Sequence, residues 1–212
     1  MLSGPSLEPT SGKVDSLVIF CHGYGSNGAD LVSLGRNWQV ILPNTAFVAP
    51  NAPEESPHPG GFQWFPIVSF EKEERTKGTY AAAHHLEEFI ESTLKTYRVT
   101  PERLALVGFS QGTMMALHVG LRRSAGVAGI LGFSGALAAP ENLMAEMKYK
   151  PPILLIHGAQ DNVIPIPALF ETVGALEACG LKPEKHISQN TAHGIAQDGM
   201  QLGGAFLARI LG

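Results

Sequence analysis

Gly108-Phe109-Ser110-Gln111-Gly112 sets a serine between two glycines. It follows the apolar run Leu104–Val107 directly and precedes the helix-compatible stretch Thr113–Leu121. This is G-x-S-x-G in a strand–turn–helix context, where a serine hydroxyl is lifted out of a sharp turn and becomes a nucleophile. Glycines relieve the crowding of such a turn, and the amides at the following helix start can stabilise negative charge. A second serine, in Gly132-Phe133-Ser134-Gly135-Ala136, also follows an apolar run. Its glycine comes one place early, Ala136 replaces the last glycine, and no helix pattern opens there. Ser134 reads as a loop serine beside the site.

A serine nucleophile needs a general base, and the base needs a carboxylate to hold it. Eight histidines compete for the role. His84 and His85 lie in a Glu-rich helical stretch, His58 in a Pro-rich one, His118 after the serine within its helix, and His186 inside a strand pattern. His22, His157 and His193 each precede a glycine near a strand end. With an early serine elbow the partners follow in the order Ser, Asp/Glu, His. Asp161, after the run Ile153–Ile156, and His193, after the final strand pattern, satisfy that order. Asp198 is the rival acid but lies in the last helix pattern, and Asp30 would invert the order.

Acyl transfer also requires N–H donors aimed at a developing oxyanion. The amide of Gln111, next after the serine, is one candidate. The amide of Tyr24, in Cys21-His22-Gly23-Tyr24-Gly25 after the first strand pattern, is the other. The same glycines spell G-x-G-x-x-G (Gly23, Gly25, Gly28), so a dinucleotide-binding loop is an open alternative. Against it, the acid expected at the end of the next strand is absent, and that position reads Pro50-Asn51.

These residues need a frame that brings distant segments to one rim. Runs Leu17–Cys21, Ala46–Ala49, Leu104–Phe109, Val127–Phe133, Ile153–Ile156 and Lys185–Ile187 read as strands. They are near-continuously apolar, as in parallel strands buried on both faces. Between them lie helical patterns at Tyr80–Tyr97, Gln111–Arg122, Pro167–Cys179 and Ile195–Leu211, with a further one at Ala29–Asn37. The alternation predicts an α/β fold: a mostly parallel central sheet flanked by helices on both faces. Ligands of such sheets bind beyond the carboxyl ends of the strands. Only Asn51–Pro66, rich in proline and containing Gly60-Gly61, breaks the rhythm. It reads as a long irregular loop of the kind that carries function.

The chain has 212 residues, 44% of them hydrophobic and 16% charged, with a formal net charge of −4. That length suits one domain over residues 14–212, preceded by a flexible arm over 1–13. Low charge with ordinary apolar content excludes a disordered chain, and the slight negative balance leaves no basic footprint for nucleic acid. Two cysteines cannot build a disulfide framework. No apolar run is long enough to span a bilayer and the first residues lack a signal-peptide pattern, so the expected location is the cytoplasm. No P-loop, H-E-x-x-H or paired-cysteine metal motif occurs, so no metal and no cofactor is expected.

Taken together, Phe20-Cys21-His22-Gly23-Tyr24-Gly25, Ala49-Pro50-Asn51-Ala52-Pro53, Gly108-Phe109-Ser110-Gln111-Gly112, Phe133-Ser134-Gly135, His157-Gly158-Ala159-Gln160-Asp161 and His193-Gly194 resemble the phospholipase/carboxylesterase branch of the α/β-hydrolases. That branch includes acyl-protein thioesterases. The resemblance runs from about residue 17 to the end of the chain. It implies a compact hydrolase without a large cap, with Ser110, Asp161 and His193 as triad and the Tyr24 and Gln111 amides as oxyanion hole. It also matches Trp64 to the family's tryptophan after the Pro-rich loop. Here Pro66 follows Trp64-Phe65 where members carry an aspartate, and Glu54–Phe62 departs from the pattern, which bears on acyl specificity.

The expected activity is cleavage of carboxylic esters or thioesters, small molecules, lysolipids or acylated proteins among them, with short-to-medium acyl chains favoured. Trp64, Phe65, Met114 and Ile164 are candidates for the acyl pocket, each with core packing as the alternative. A non-catalytic binding module on the same fold is the remaining rival. A homodimer is compatible with the sequence.

Overall fold

The computed structural model describes residues 2–67 and 71–212. In chain order it contains β1 (Ser6–Leu7), β2 (Ser16–Cys21), α1 (Gly28–Trp38), β3 (Thr45–Val48), β4 (Glu54–Glu55) and β5 (Phe62–Gln63). There follow α2 (Lys72–Tyr97), β6 (Leu104–Phe109), α3 (Gln111–Arg122), β7 (Gly129–Phe133) and α4 (Leu143–Glu146). The chain ends with β8 (Ile153–Gly158), α5 (Pro167–Ala178), β9 (Glu184–Ser188) and α6 (Gln197–Leu211). The main sheet runs β1-β3-β2-β6-β7-β8-β9. Every pairing in it is parallel except β1 with β3.

Side chains along a strand alternate between faces, and here both faces are apolar. Leu17, Ile19 and Cys21 of β2 point into one core with Leu86 and Ile90 of α2, Met115 of α3 and Val173 of α5. Val18 and Phe20 point into the other, against Val32 and Trp38 of α1 and Phe206 and Leu207 of α6. Burial of each such side chain contributes roughly 1.5–3 kcal/mol. The doubly buried strands are why the sequence shows continuous apolar runs instead of alternation.

Three segments differ from expectation. The stretch read as a flexible arm lies on the sheet: β1 pairs with β3, Ala49 N–H donates to Pro5 O at 3.0 Å and Asn51 N–H to Ser3 O at 2.9 Å. An uncovered strand edge offers unpaired N–H and C=O groups, and backbone alone can satisfy them, so composition gave no signal. Helix α2 starts at Lys72, well before the expected Tyr80, because its first two turns are polar and carry no apolar stripe. The Pro-rich loop holds a short hairpin, with Glu54 opposite Gln63 and Glu55 opposite Phe62. Among the described residues no helix is long and apolar enough to cross a membrane.

The chain leaves β2 toward β3 on one side and later returns as β6 on the other, so the two strands flank a topological switch point. Their register pairs Cys21 with Gly108. The loops that follow, Gly23–Tyr24 and Phe109–Ser110, therefore leave the sheet side by side.

Candidate active site

Ser110 sits between β6 and α3 with φ 54° and ψ −118°. A non-glycine residue in that region is strained and persists only where its surroundings over-determine it. The two flanking glycines make the turn possible. A Cβ on Gly108 would lie 2.5 Å from Gly112 O and Thr113 Cα, and one on Gly112 would lie 1.8 Å from Cys21 O. The serine amide donates to Phe133 O at 2.9 Å, tying the elbow to the end of β7.

His193 follows β9 and remains partly accessible, its side chain 17% exposed, whereas the Asp161 carboxylate is fully buried. His193 Nδ1 lies 2.8 Å from Asp161 Oδ2. The other carboxylate oxygen accepts from the amides of Val163 and Ile164, each at 2.9 Å. Burial by itself would raise the Asp161 pKa. The hydrogen bonds from His193 and from the Ile164 and Val163 amides outweigh it and hold the carboxyl below its ordinary value. Asp161 is thus ionised and can only accept from His193 Nδ1–H, so in the neutral form of the ring Nε2 is the nitrogen that carries the lone pair. His157 Nε2 donates to Ile164 O at 2.7 Å and lies 3.4 Å from Asp161 Oδ2, bracing the same loop.

Ser110 and His193 line one cavity of about 710 Å³ together with Tyr24, Gln111 and Met114. No hydrogen bond joins the serine and imidazole here; such contacts tighten when substrate binds. The Gln111 amide opens α3 and has no helical carbonyl to donate to. Its side chain is a clamp: Oε1 accepts from Trp64 N–H at 2.9 Å and Nε2 donates to Phe65 O at 2.8 Å.

A model of the family described as Phospholipase/Carboxylesterase matches residues 3–211. The chain belongs to this family. The crystal structure of esterase PE8 is similar over 99% of both chains, at 44% sequence identity and a TM-score of 0.96. Acyl-protein thioesterase 1 of Gibberella zeae is 28% identical over 182 residues, 76% of either chain. Esterase YpfH of Escherichia coli is 28% identical over 187 residues, 87% of this chain and 78% of that one. The protein is a carboxylesterase-like hydrolase with an α/β-hydrolase fold.

Not every residue expected at the site of this phospholipase/carboxylesterase member is there. Phe65, Met114 and Ile164 line the cavity and also pack against the core. Trp64 does not line it. It is 1% exposed and donates its indole N–H to His22 O at 3.0 Å, so it supports the loops from behind. The rival acid Asp198 is engaged elsewhere, with His186 Nε2 at 2.7 Å and Ser188 Oγ at 3.0 Å. Ser134 is buried, also at positive φ (45°), and outside the cavity lining.

The dinucleotide alternative meets a helix start that is already filled. Gly28 N–H donates to Asn51 Oδ1 at 2.8 Å and Asp30 N–H to Asn27 Oδ1 at 3.2 Å. Asp30 adds a negative charge in the first turn of α1, where a phosphate would have to sit. A Cβ on Gly23 would lie 3.3 Å from Ser110 Cβ, so this loop covers the serine instead.

Pattern reading missed much of the wall. Ile67, Val163, Pro165, Pro167 and Ala168 all face the cavity, beside Pro66, whose bearing on acyl specificity the sequence did suggest. A usable signal existed for Val163–Pro167, which continues the loop holding Asp161 beyond the end of β8. Arg75 and Glu171 bring charge to the same cavity from helices that carried no motif.

Proposed function

We propose that the protein hydrolyses carboxylic esters and thioesters through an acyl-enzyme on Ser110, with short-to-medium acyl chains favoured. The observation that carries the reading is a strained serine elbow sharing one cavity with a histidine whose Nδ1 is held by a buried, ionised aspartate. His193 takes the Ser110 proton as the hydroxyl attacks the acyl carbon, then gives it to the departing alcohol or thiol. A water activated by the same imidazole releases the acid. Asp161 keeps the imidazole in the required tautomer and stabilises its charged form. The Tyr24 and Gln111 amides stabilise the oxyanion, each such donor being worth about 10²–10³ in turnover.

The mainly apolar wall supports the acyl preference, since each buried CH₂ adds ~0.8 kcal/mol of binding. The relatives named acyl-protein thioesterase extend the candidate substrates to S-acylated proteins. Labelling with a fluorophosphonate, followed by peptide mapping, tests the nucleophile. Ser110→Ala abolishes label and turnover under this reading, and Ser134→Ala retains both. Label on Ser134, or a folded protein that takes up no label, refutes it; the latter outcome points to a binding module.

A further inference from the structure

His22 is entirely buried, yet it faces no acid that would give it a place in the triad chemistry. Its ring bridges two loops. Ala52 N–H reaches Nε2 at 2.9 Å, and Nδ1 lies 2.8 Å from Gly23 O. A backbone amide can only donate, so Nε2 must carry the lone pair and Nδ1 the proton. The tautomer follows from the partners. Burial lowers the His22 pKa, against the smaller opposing effects of the Gly23 bond and Asp30, so the ring stays neutral.

The carbonyl that His22 grips belongs to the same peptide unit as the Tyr24 N–H. That unit is planar, and the chain contains no cis peptide among the described residues. In a trans peptide the C=O and N–H point in opposite directions. Fixing the Gly23 carbonyl toward His22 therefore fixes the Tyr24 N–H away from it. Gly23 packs over Ser110, Tyr24 lines the cavity beside it, and no acceptor among the described residues takes the Tyr24 amide. We propose that His22 is a positioning residue: its Nδ1–H bond to Gly23 O locks the Gly23–Tyr24 peptide plane and aims the Tyr24 N–H at the developing oxyanion.

The anchor is built from several sides. Ser26 N–H also donates to Gly23 O, at 3.2 Å, and Gly25 N–H and Phe62 N–H tie the next residues to the Pro-rich loop at 2.9 and 2.7 Å. Trp64 Nε1–H holds the His22 carbonyl at 3.0 Å. Hydrogen bonds accepted by a carbonyl polarise its peptide and strengthen the N–H at the other end. Without the imidazole only the longer 3.2 Å bond from Ser26 N–H holds the Gly23 carbonyl, and a glycine-flanked peptide offers little resistance to rotating away from its place.

This rests on the Ser110 acyl-enzyme reading, so the experiment first confirms fluorophosphonate labelling of Ser110 in every variant. His22→Leu removes donor and acceptor, whereas His22→Asn can still donate to Gly23 O. The expected result is a fall in kcat of about ten- to a hundredfold in His22→Leu, a fraction of the loss of a whole donor, with KM within about twofold. His22→Asn recovers most of it. The loss also disappears in a Tyr24→Pro background, where the N–H is already gone, because residues acting through one group are non-additive. A trifluoromethyl ketone, which forms a tetrahedral adduct, weakens in parallel with kcat. Unchanged kcat in folded His22→Leu, a loss confined to KM, or the same loss in the Tyr24→Pro background overturns the proposal. Should His22→Leu fail to fold, the ¹⁵N imidazole spectrum of the wild type decides: a proton on Nε2 overturns it and one on Nδ1 supports it. Absence of label on Ser110 would instead sink the underlying reading.

Discussion

Asp161→Asn changes one atom of the acid and should cost about 10⁴ in kcat. Oδ1 of Asp161 faces two backbone donors, the amides of Val163 and Ile164, each at 2.9 Å. Those donors cannot turn, so in the asparagine the carbonyl oxygen must take their place and the NH₂ must occupy the other position. That position faces His193 Nδ1 at 2.8 Å and His157 Nε2 at 3.4 Å. An NH₂ there can only donate, which forces His193 to accept at Nδ1 and carry its proton on Nε2. An imidazole protonated on Nε2 cannot take the serine proton. Loss of the right tautomer costs on the order of 10⁴ in turnover, which is ~5.4 kcal/mol at 1.36 kcal/mol per tenfold. The two amide bonds survive, so the fold persists. The assay is steady-state hydrolysis of p-nitrophenyl butyrate, with circular dichroism and urea unfolding as controls. A folded Asp161→Asn with kcat within tenfold of the wild type would refute the argument, most sharply if Asp198→Asn were dead.

Three further outcomes are expected. Trp64→Ala should lower stability by about 3–5 kcal/mol, as large buried aromatics do, and leave the ratio of octanoyl to acetyl rates unchanged; urea titration and an ester panel read the two effects. Ala168→Trp, which fills the cavity, should cut the octanoyl rate at least tenfold relative to acetyl, since losing contact with two CH₂ groups already costs ~1.6 kcal/mol. Burial, and secondarily the charge of Arg122, lowers the His118 pKa from 6.5 to about 4, with Glu146 opposing. The unfolded chain then takes up a proton below about 6.5 that the fold refuses, so stability is complete above that pH and falls as pH drops toward 4, on the order of 3 kcal/mol in all. His118→Phe should flatten that slope in urea unfolding at pH 7, 5 and 4, and an unchanged slope would contradict it.

The candidate site was legible in the sequence because it depends on residue type at strand ends, and parallel strands bring those ends to one rim. Ser110, Asp161 and His193 each follow a strand that the apolar runs mark, and their order along the chain selects them. The rival reading of Gly23, Gly25 and Gly28 could not be settled from the pattern, because a glycine-rich turn after a strand serves either task. What decides it is the register of Cys21 against Gly108, which drops that turn onto the serine. Strand pairing is long-range information that no local pattern contains.

Specificity was far less readable, and for one physical reason. The acyl wall is apolar, so Met114 and Ile164, each less than a tenth exposed, satisfy a core packing rule and a ligand-binding rule at once. Trp64 shows the reverse error: a large aromatic in the right loop, turned to brace His22 instead of substrate. His22 and the Gln111 side chain were invisible as positioning groups because they work through backbone carbonyls and amides, which every residue carries. Both act on the same set of loops. The Gln111 side chain holds Trp64 and Phe65 while its own backbone amide opens α3, and His22 holds Ala52 while gripping Gly23. The Pro-rich loop is therefore fastened to both proposed oxyanion donors. A substitution that reshapes its acyl wall should move kcat along with chain-length preference, whereas one at Pro167 or Ala168, which line the cavity without holding Asp161, should alter preference alone.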